Sequence, residues 1–129
     1  MNAKDIMTRD IITVSPTMKV KDLAMTLIKN QISGAPVAGR DGKIVGIVSE
    51  ADIVAKRGKD VRAIMSKKVI SVGETTTVEE IARLMATHAI KRLPVMDQGK
   101  VVGIVSRADI VSAITQGTPT SIHTPIYDL

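Results

Sequence analysis

The sequence predicts a mixed α+β fold built from two β-α-β-β-α repeats packed about a pseudo-twofold axis. Three observations carry that prediction. The second half of the chain restates the first at a nearly fixed offset, each half alternates β-type runs with an amphipathic helix, and neither half is long enough to bury an adequate core alone. Ile6-Met7 returns as Ile64-Met65, 58 residues on. The same offset brings Ile12 to Ile70, Val14 to Val72, Val20 to Val78, Ala24 to Ala82, Ile32 to Ile90 and Pro36-Val37 to Pro94-Val95. One residue is missing from the second copy's turn, so Gly42-Lys43 aligns with Gly99-Lys100 at an offset of 57. From there 45–54 and 102–111 match letter for letter, except that Glu50 is replaced by Arg107.

Each copy reads alike. Ile11–Val14 is predicted as a short β-branched strand, and Val69–Val72 as its twin. A helix follows, with Val20, Leu23, Ala24, Leu27 and Ile28 on one stripe. Val78, Ile81, Ala82, Met85 and Ala86 repeat the stripe. Thr77 and Glu80 have capping-box spacing at the start of the second helix, whereas the first has Lys19 in the cap position. The strand Ala35–Ala38, the turn Gly39-Arg40-Asp41-Gly42 and the strand Lys43–Val48 read as an antiparallel hairpin. A last short helix starts near Glu50, and its twin near Arg107. The repeats therefore span residues 1–58 and 59–114. The segment 115–129 reads as a tail, because Thr115-Gln116-Gly117-Thr118-Pro119-Thr120-Ser121 is rich in turn formers and lacks periodicity.

Composition narrows the function. The 129 residues include no Cys, so disulfides, thiolate metal sites and thiol nucleophiles are excluded, and with two His residues no metal site is expected. No apolar run approaches the eighteen or so residues of a membrane span, and Met1-Asn2-Ala3-Lys4-Asp5 does not resemble a signal peptide. A cytoplasmic location without membrane association is expected. The net charge of +5 raises a nucleic-acid-binding alternative. The excess is spread through the chain, however, and with aromatics at 1% little could stack on bases. No P-loop is present, since Gly39-Arg40-Asp41-Gly42-Lys43 has the wrong spacing and no following helix. No Ser-His-Asp or similar set is evident, so no enzymatic activity is expected. His88, near a helix C-terminus, suits the dipole there. Gly46 and Gly103 lie inside strands, which suggests a close approach of backbone or ligand.

Several segments together resemble a tandem pair of cystathionine-β-synthase (CBS) domains. They are Asp5-Ile6-Met7-Thr8, Ser33-Gly34-Ala35-Pro36-Val37, Lys91-Arg92-Leu93-Pro94-Val95 and the two Gly-Ile-Val-Ser-x-Ala-Asp-Ile-Val closings. The resemblance runs over roughly residues 3–113 and is to stand-alone CBS-pair proteins. It implies a regulatory module that binds AMP, ADP, ATP or S-adenosylmethionine in clefts between the two repeats and relays occupancy to an effector protein. It also implies a homodimer, with the adenosyl compound as ligand and no required cofactor. A purely structural dimerisation module with empty clefts is a further alternative.

The candidate site residues follow from that resemblance. Ser49/Asp52 and Ser106/Asp109 have N-cap spacing by themselves. The same aspartates would accept from both ribose hydroxyls, while the serines and helix-start amides face a phosphate. Each cleft would combine the Ser/Asp motif of one repeat with the opening segment of the other. Asp109 and Ser106 would work with Thr8, Ile11, Thr13 and Ser33, and Asp52 and Ser49 with Ser66, Val69 and Ser71. Lys91 and Arg92 are the phosphate candidates, by resemblance reaching the phosphates from the partner domain. Repeat 1 has uncharged Ser33-Gly34 in their place, which suggests one phosphate-bearing site and one less anionic site. Taken singly, Ile11 and Val69 read as core, Thr8 and Ser66 as turn starts, and Lys91-Arg92 as a solvated loop end.

Overall fold

The computed structural model describes residues 1–116. Its elements are α1 (Ala3–Ile6), α2 (Val20–Asn30), β1 (Gly34–Ala38), β2 (Ile44–Ser49), α3 (Glu50–Ala55), α4 (Val61–Ile64), β3 (Val72–Gly73), α5 (Val78–His88), β4 (Arg92–Asp97), β5 (Lys100–Ser106) and α6 (Arg107–Thr115). Thr115 thus closes a helix, and the rest of the expected tail, from residue 117, lies outside the described residues.

The chain forms two compact units whose boundaries cut across the sequence repeats. One is Ile12–Val69; the other joins Met1–Ile11 to the described residues from Ile70 on. Each repeat's opening segment therefore packs with the sister repeat's hairpin. In the second unit Thr8 makes an isolated bridge with Ile104, each N–H donating to the other's carbonyl at 2.9 and 3.0 Å. In the first, Ser66 does the same with Ile47, at 2.8 and 2.9 Å.

The unit Ile12–Val69 holds the hairpin β1-β2, antiparallel from Gly34↔Ser49 to Ala38↔Ile44 with an irregularity after Val37. Leu23 and Leu27 of α2 pack with Val37, Val48, Val61 and Ile64 in its core. The other unit carries β3-β4-β5, with β4-β5 antiparallel and β3 parallel to β4. Ile81 and Met85 of α5 meet Leu93, Val95, Val105 and Ile110 there. The residue missing from the second hairpin leaves a two-residue turn with positive φ at both Gln98 (52°) and Gly99 (80°), the backbone that matches strand twist.

Three local expectations are corrected. The strand expected at Ile11–Val14 shrinks to one parallel bridge, Val14 with Val37, and its twin to Val72–Gly73. Val14 donates to the Pro36 carbonyl and accepts from Ala38 N–H at 3.0 and 2.9 Å. The next rung towards the N-terminus would need an N–H from Pro36, which has none, and Pro94 stops the twin ladder likewise. The apolar stripe of α2 ends at Leu27, since Ile28 is 78% exposed. The capping box of α5 is half formed: Thr77 accepts the Glu80 N–H at 3.2 Å, but the Glu80 carboxylate pairs with Arg83.

Two single-turn helices, α1 and α4, lie outside the expected pattern. Their starts are capped by Asn2, which accepts from Asp5 N–H, and by Asp60, which accepts from Ala63 N–H. Such side-chain acceptors offset the unpaired amides that make so short a helix costly.

Candidate functional site

The candidate residues gather where a strand runs straight into a helix. In β5 and β2 the last residue is a serine in extended conformation, and the next residue begins α6 or α3. An aspartate three residues on reaches back to the serine's backbone N–H. The Ser106 N–H donates to Asp109 Oδ2 at 2.8 Å, and the Ser49 N–H to Asp52 Oδ2 at 2.9 Å. A carboxylate in the first turn also complements the helix dipole.

The two starts then diverge. Ser106 Oγ accepts the Asp109 N–H at 3.2 Å, which closes a reciprocal capping box. Ser49 and Asp52 form the same box, but Ser49 Oγ also donates to Asp52 Oδ2 at 3.3 Å. Asp52 Oδ1 is held by Lys56 Nζ at 2.9 Å, and the same ammonium donates to the Ile64 carbonyl at 3.1 Å. Position 113, the counterpart of Lys56, is a buried Ala. Among the described residues no Lys or Arg is in salt-bridge range of Asp109.

The other candidates divide between the two compact units. Arg92 opens β4 directly opposite Ser106, and the neighbouring Lys91 carbonyl accepts the Arg107 N–H at 3.0 Å. Gly34 takes the equivalent place opposite Ser49, and the Ser33 carbonyl accepts the Glu50 N–H at 2.8 Å. Thr8 is exposed and lies beside Ile104, two residues before Ser106. Ser66 is half-buried beside Ile47, two residues before Ser49, with its hydroxyl on the Lys68 carbonyl at 3.4 Å. Half-buried Ile11 and exposed Ser71 belong to the compact unit of Asp109; exposed Thr13, half-buried Ser33 and half-buried Val69 belong to that of Asp52. Among the described residues no three His, Asp or Glu side chains converge to hold a metal, and no helix is long and apolar enough to cross a membrane.

The glycines inside the strands have a specific cause. A Cβ at Gly103 would stand 2.5 Å from Met7 Sδ, and one at Gly46 would stand 2.7 Å from both Met65 Sδ and the Ser66 carbonyl. The opening Ile-Met motif of each repeat thus lies flat on the sister repeat's strand, which places Thr8 and Ser66 beside the two helix starts. Sequence reading missed Lys56 and these methionines. The Asp52–Lys56 spacing of four is an ordinary helix-pair signal. Nothing in the sequence signals that Lys56 also reaches Ile64.

Comparison with known proteins agrees with this architecture. The CBS domain family matches twice, over residues 3–58 and 61–116. The CBS domain-containing protein YhcV of Bacillus subtilis is 30% identical, over 95% of this chain and 99% of its own. The crystal structure of CBSX2 in complex with AMP aligns with a TM-score of 0.85 and 31% identity, covering 89% of this chain and 96% of that one. The CBS domain pair of protein MJ0100, in complex with 5′-methylthioadenosine and S-adenosyl-L-methionine, aligns with a TM-score of 0.84 and 32% identity over 92% and 98%. With two matches that together span most of its length, this chain belongs to the CBS domain family as a tandem pair of repeats.

Proposed function

We propose that this protein is a regulatory module that binds an adenosyl compound through Asp109 and relays occupancy to a partner protein. The observation that carries the reading is the capped start of α6. There a carboxylate fixed by the Ser106 N–H lies in one compact unit with the basic pair Lys91-Arg92 and with Thr8. The AMP complex of CBSX2 and the methylthioadenosine and S-adenosylmethionine complex of MJ0100, both similar to this chain at above 30% identity, support the ligand class.

The chemistry suits it. A carboxylate offers about four lone-pair positions, and the Ser106 N–H uses one, so both hydroxyls of a ribose diol can donate to Asp109. Charge-assisted bonds of this kind contribute roughly 1.5–3 kcal/mol each. With burial of a purine face they reach the about −8 kcal/mol of a micromolar complex. Arg92, across the ladder from Ser106, is the phosphate contact, joined by Lys91; Ser106 Oγ and the first amides of α6 complete an anion-friendly corner. Thr8, paired with Ile104, and Ile11 flank the base and sugar. Signalling requires that the ligand favour one arrangement of the protein over another, because equal affinity for both would shift nothing. A homodimer is part of the reading. Exposed Ile28 (78%) and Val54 (88%), on the mutually packed α2 and α3, supply apolar surface for a second copy.

A dye-based thermal-shift panel of AMP, ADP, ATP, adenosine and S-adenosylmethionine tests the ligand class. Saturation at about 100 Kd adds roughly 2.7 kcal/mol of stability, a shift of several degrees. The absence of any shift at millimolar ligand, together with salt-sensitive DNA or RNA binding, would instead support the nucleic-acid alternative.

A further inference from the structure

The first repeat preserves the Ser-x-x-Asp motif, yet its carboxylate is already engaged. Asp52 takes the Ser49 N–H (2.9 Å), the Ser49 hydroxyl (3.3 Å) and the Lys56 ammonium (2.9 Å). Three of about four acceptor positions are therefore filled, against one at Asp109. Lys56 is not merely a surface helix partner. It stands at the C-cap of α3, and its Nζ is held a second time by the carbonyl that ends α4. That second anchor fixes the cation over a carboxylate that is only 15% exposed. The charges around the motif also differ. Ser33-Gly34 stand where Lys91-Arg92 stand in the other repeat, and the six-residue α3 offers a shorter dipole than the nine-residue α6.

We infer that Lys56 is an internal occupant of the Asp52 position. Its ammonium takes the place a ribose diol would need, so the chain binds one adenosyl ligand, at Asp109, while Asp52 serves to tie α3 to α4. The inference rests on the adenosyl-binding reading and goes beyond it, naming the residue that makes the two repeats inequivalent. Ala113, at the matching position of the second repeat, carries no amine to play the same part. Losing the Lys56 charge would release one acceptor position, leaving two open on Asp52, and create a second site. That site would gain little from a phosphate, because Ser33-Gly34 replace Lys91-Arg92 there and Glu50 replaces Arg107.

Isothermal titration of the full chain with AMP and with adenosine tests this. The wild-type chain takes one equivalent. Lys56→Met keeps the methylenes and removes the ammonium, and it takes a second equivalent whose affinity for AMP and adenosine differs less than threefold. Lys56→Gln, neutral but still able to donate to the Ile64 carbonyl, does the same and guards against a folding defect in the first variant. Adding Asp52→Ala to either variant returns the count to one. Two equivalents on the wild-type chain, one equivalent on both well-folded Lys56 variants, or a second event that survives Asp52→Ala overturns the inference but leaves adenosyl binding standing. A wild-type chain that takes up neither compound overturns the functional reading, and this inference with it.

Discussion

The starts of α3 and α6 are near copies in sequence, Ser49-Glu50-Ala51-Asp52-Ile53-Val54 beside Ser106-Arg107-Ala108-Asp109-Ile110-Val111, and they are used differently. At Ser106 the motif is a reciprocal capping box that keeps most of the carboxylate's acceptor capacity available. At Ser49 the same box is present, but the serine hydroxyl also donates to the carboxylate and Lys56 closes over it. The residue four positions after the aspartate, Lys in one repeat and a buried Ala in the other, decides whether the carboxylate is engaged by an ammonium of its own helix. Duplication supplies two similar frames; Lys56 and the charges beside the motif make them unequal.

The largest expected effect that tests this contrast is at Asp109. Asp109→Ala removes two charge-assisted bonds to the ligand and weakens AMP about a hundredfold by titration, with helical circular dichroism retained. An affinity within threefold of wild type would place the ligand elsewhere. Next come the glycines under the crossing segments. Gly46→Ala forces a Cβ against the Ser66 backbone as well as Met65, whereas the three atoms nearest a Cβ at Gly103 all belong to the flexible Met7 side chain. Denaturant unfolding is expected to show a loss of about 1–3 kcal/mol for Gly46→Ala and a smaller loss for Gly103→Ala. The reverse order would mean that the two crossings are not built as described.

Arg92→Ala sharpens the charge contrast between repeats. It is expected to weaken ATP about tenfold and adenosine less than twofold, whereas equal losses would remove Arg92 from the phosphate. The smallest effects lie at the helix caps. Thr77→Ala costs about 1 kcal/mol in a chemical melt, and Lys19→Thr, which installs at α2 the cap that α5 already has, adds up to about 1 kcal/mol. No gain from Lys19→Thr would mean that the cap geometry of Thr77 is not reproduced at the start of α2.

Much of the fold is legible in the residues because its signals are local. Leu23 and Leu27, like Ile81 and Met85, are buried where the 3.6-residue stripe puts them. The hairpins follow from their glycine turns, and Thr77 caps α5 as its spacing implies. Reading failed where a distant group decides the outcome. Ile28 belongs to the stripe by periodicity but is exposed, because burial depends on what the rest of the fold brings to that turn. The strand beginning at Ile11 looks sound by composition, but the strand it pairs with has a proline where the next N–H is required. The candidate site was half legible. Both Ser/Asp pairs stand where N-cap spacing places them, while the occupation of one by Lys56 was hidden.

The sequence by itself determined the duplication, the helix faces, the hairpins and the two Ser-x-x-Asp caps, since each follows from contacts within a few residues or from simple periodicity. Only the tertiary structure decided which hairpin each opening segment would cover, where the parallel ladders would stop, and that the Lys56 ammonium would find both Asp52 and the Ile64 carbonyl within reach. Those outcomes depend on groups far apart along the chain, and their hydrogen bonds exist only once the backbone has brought donor and acceptor within about 3 Å.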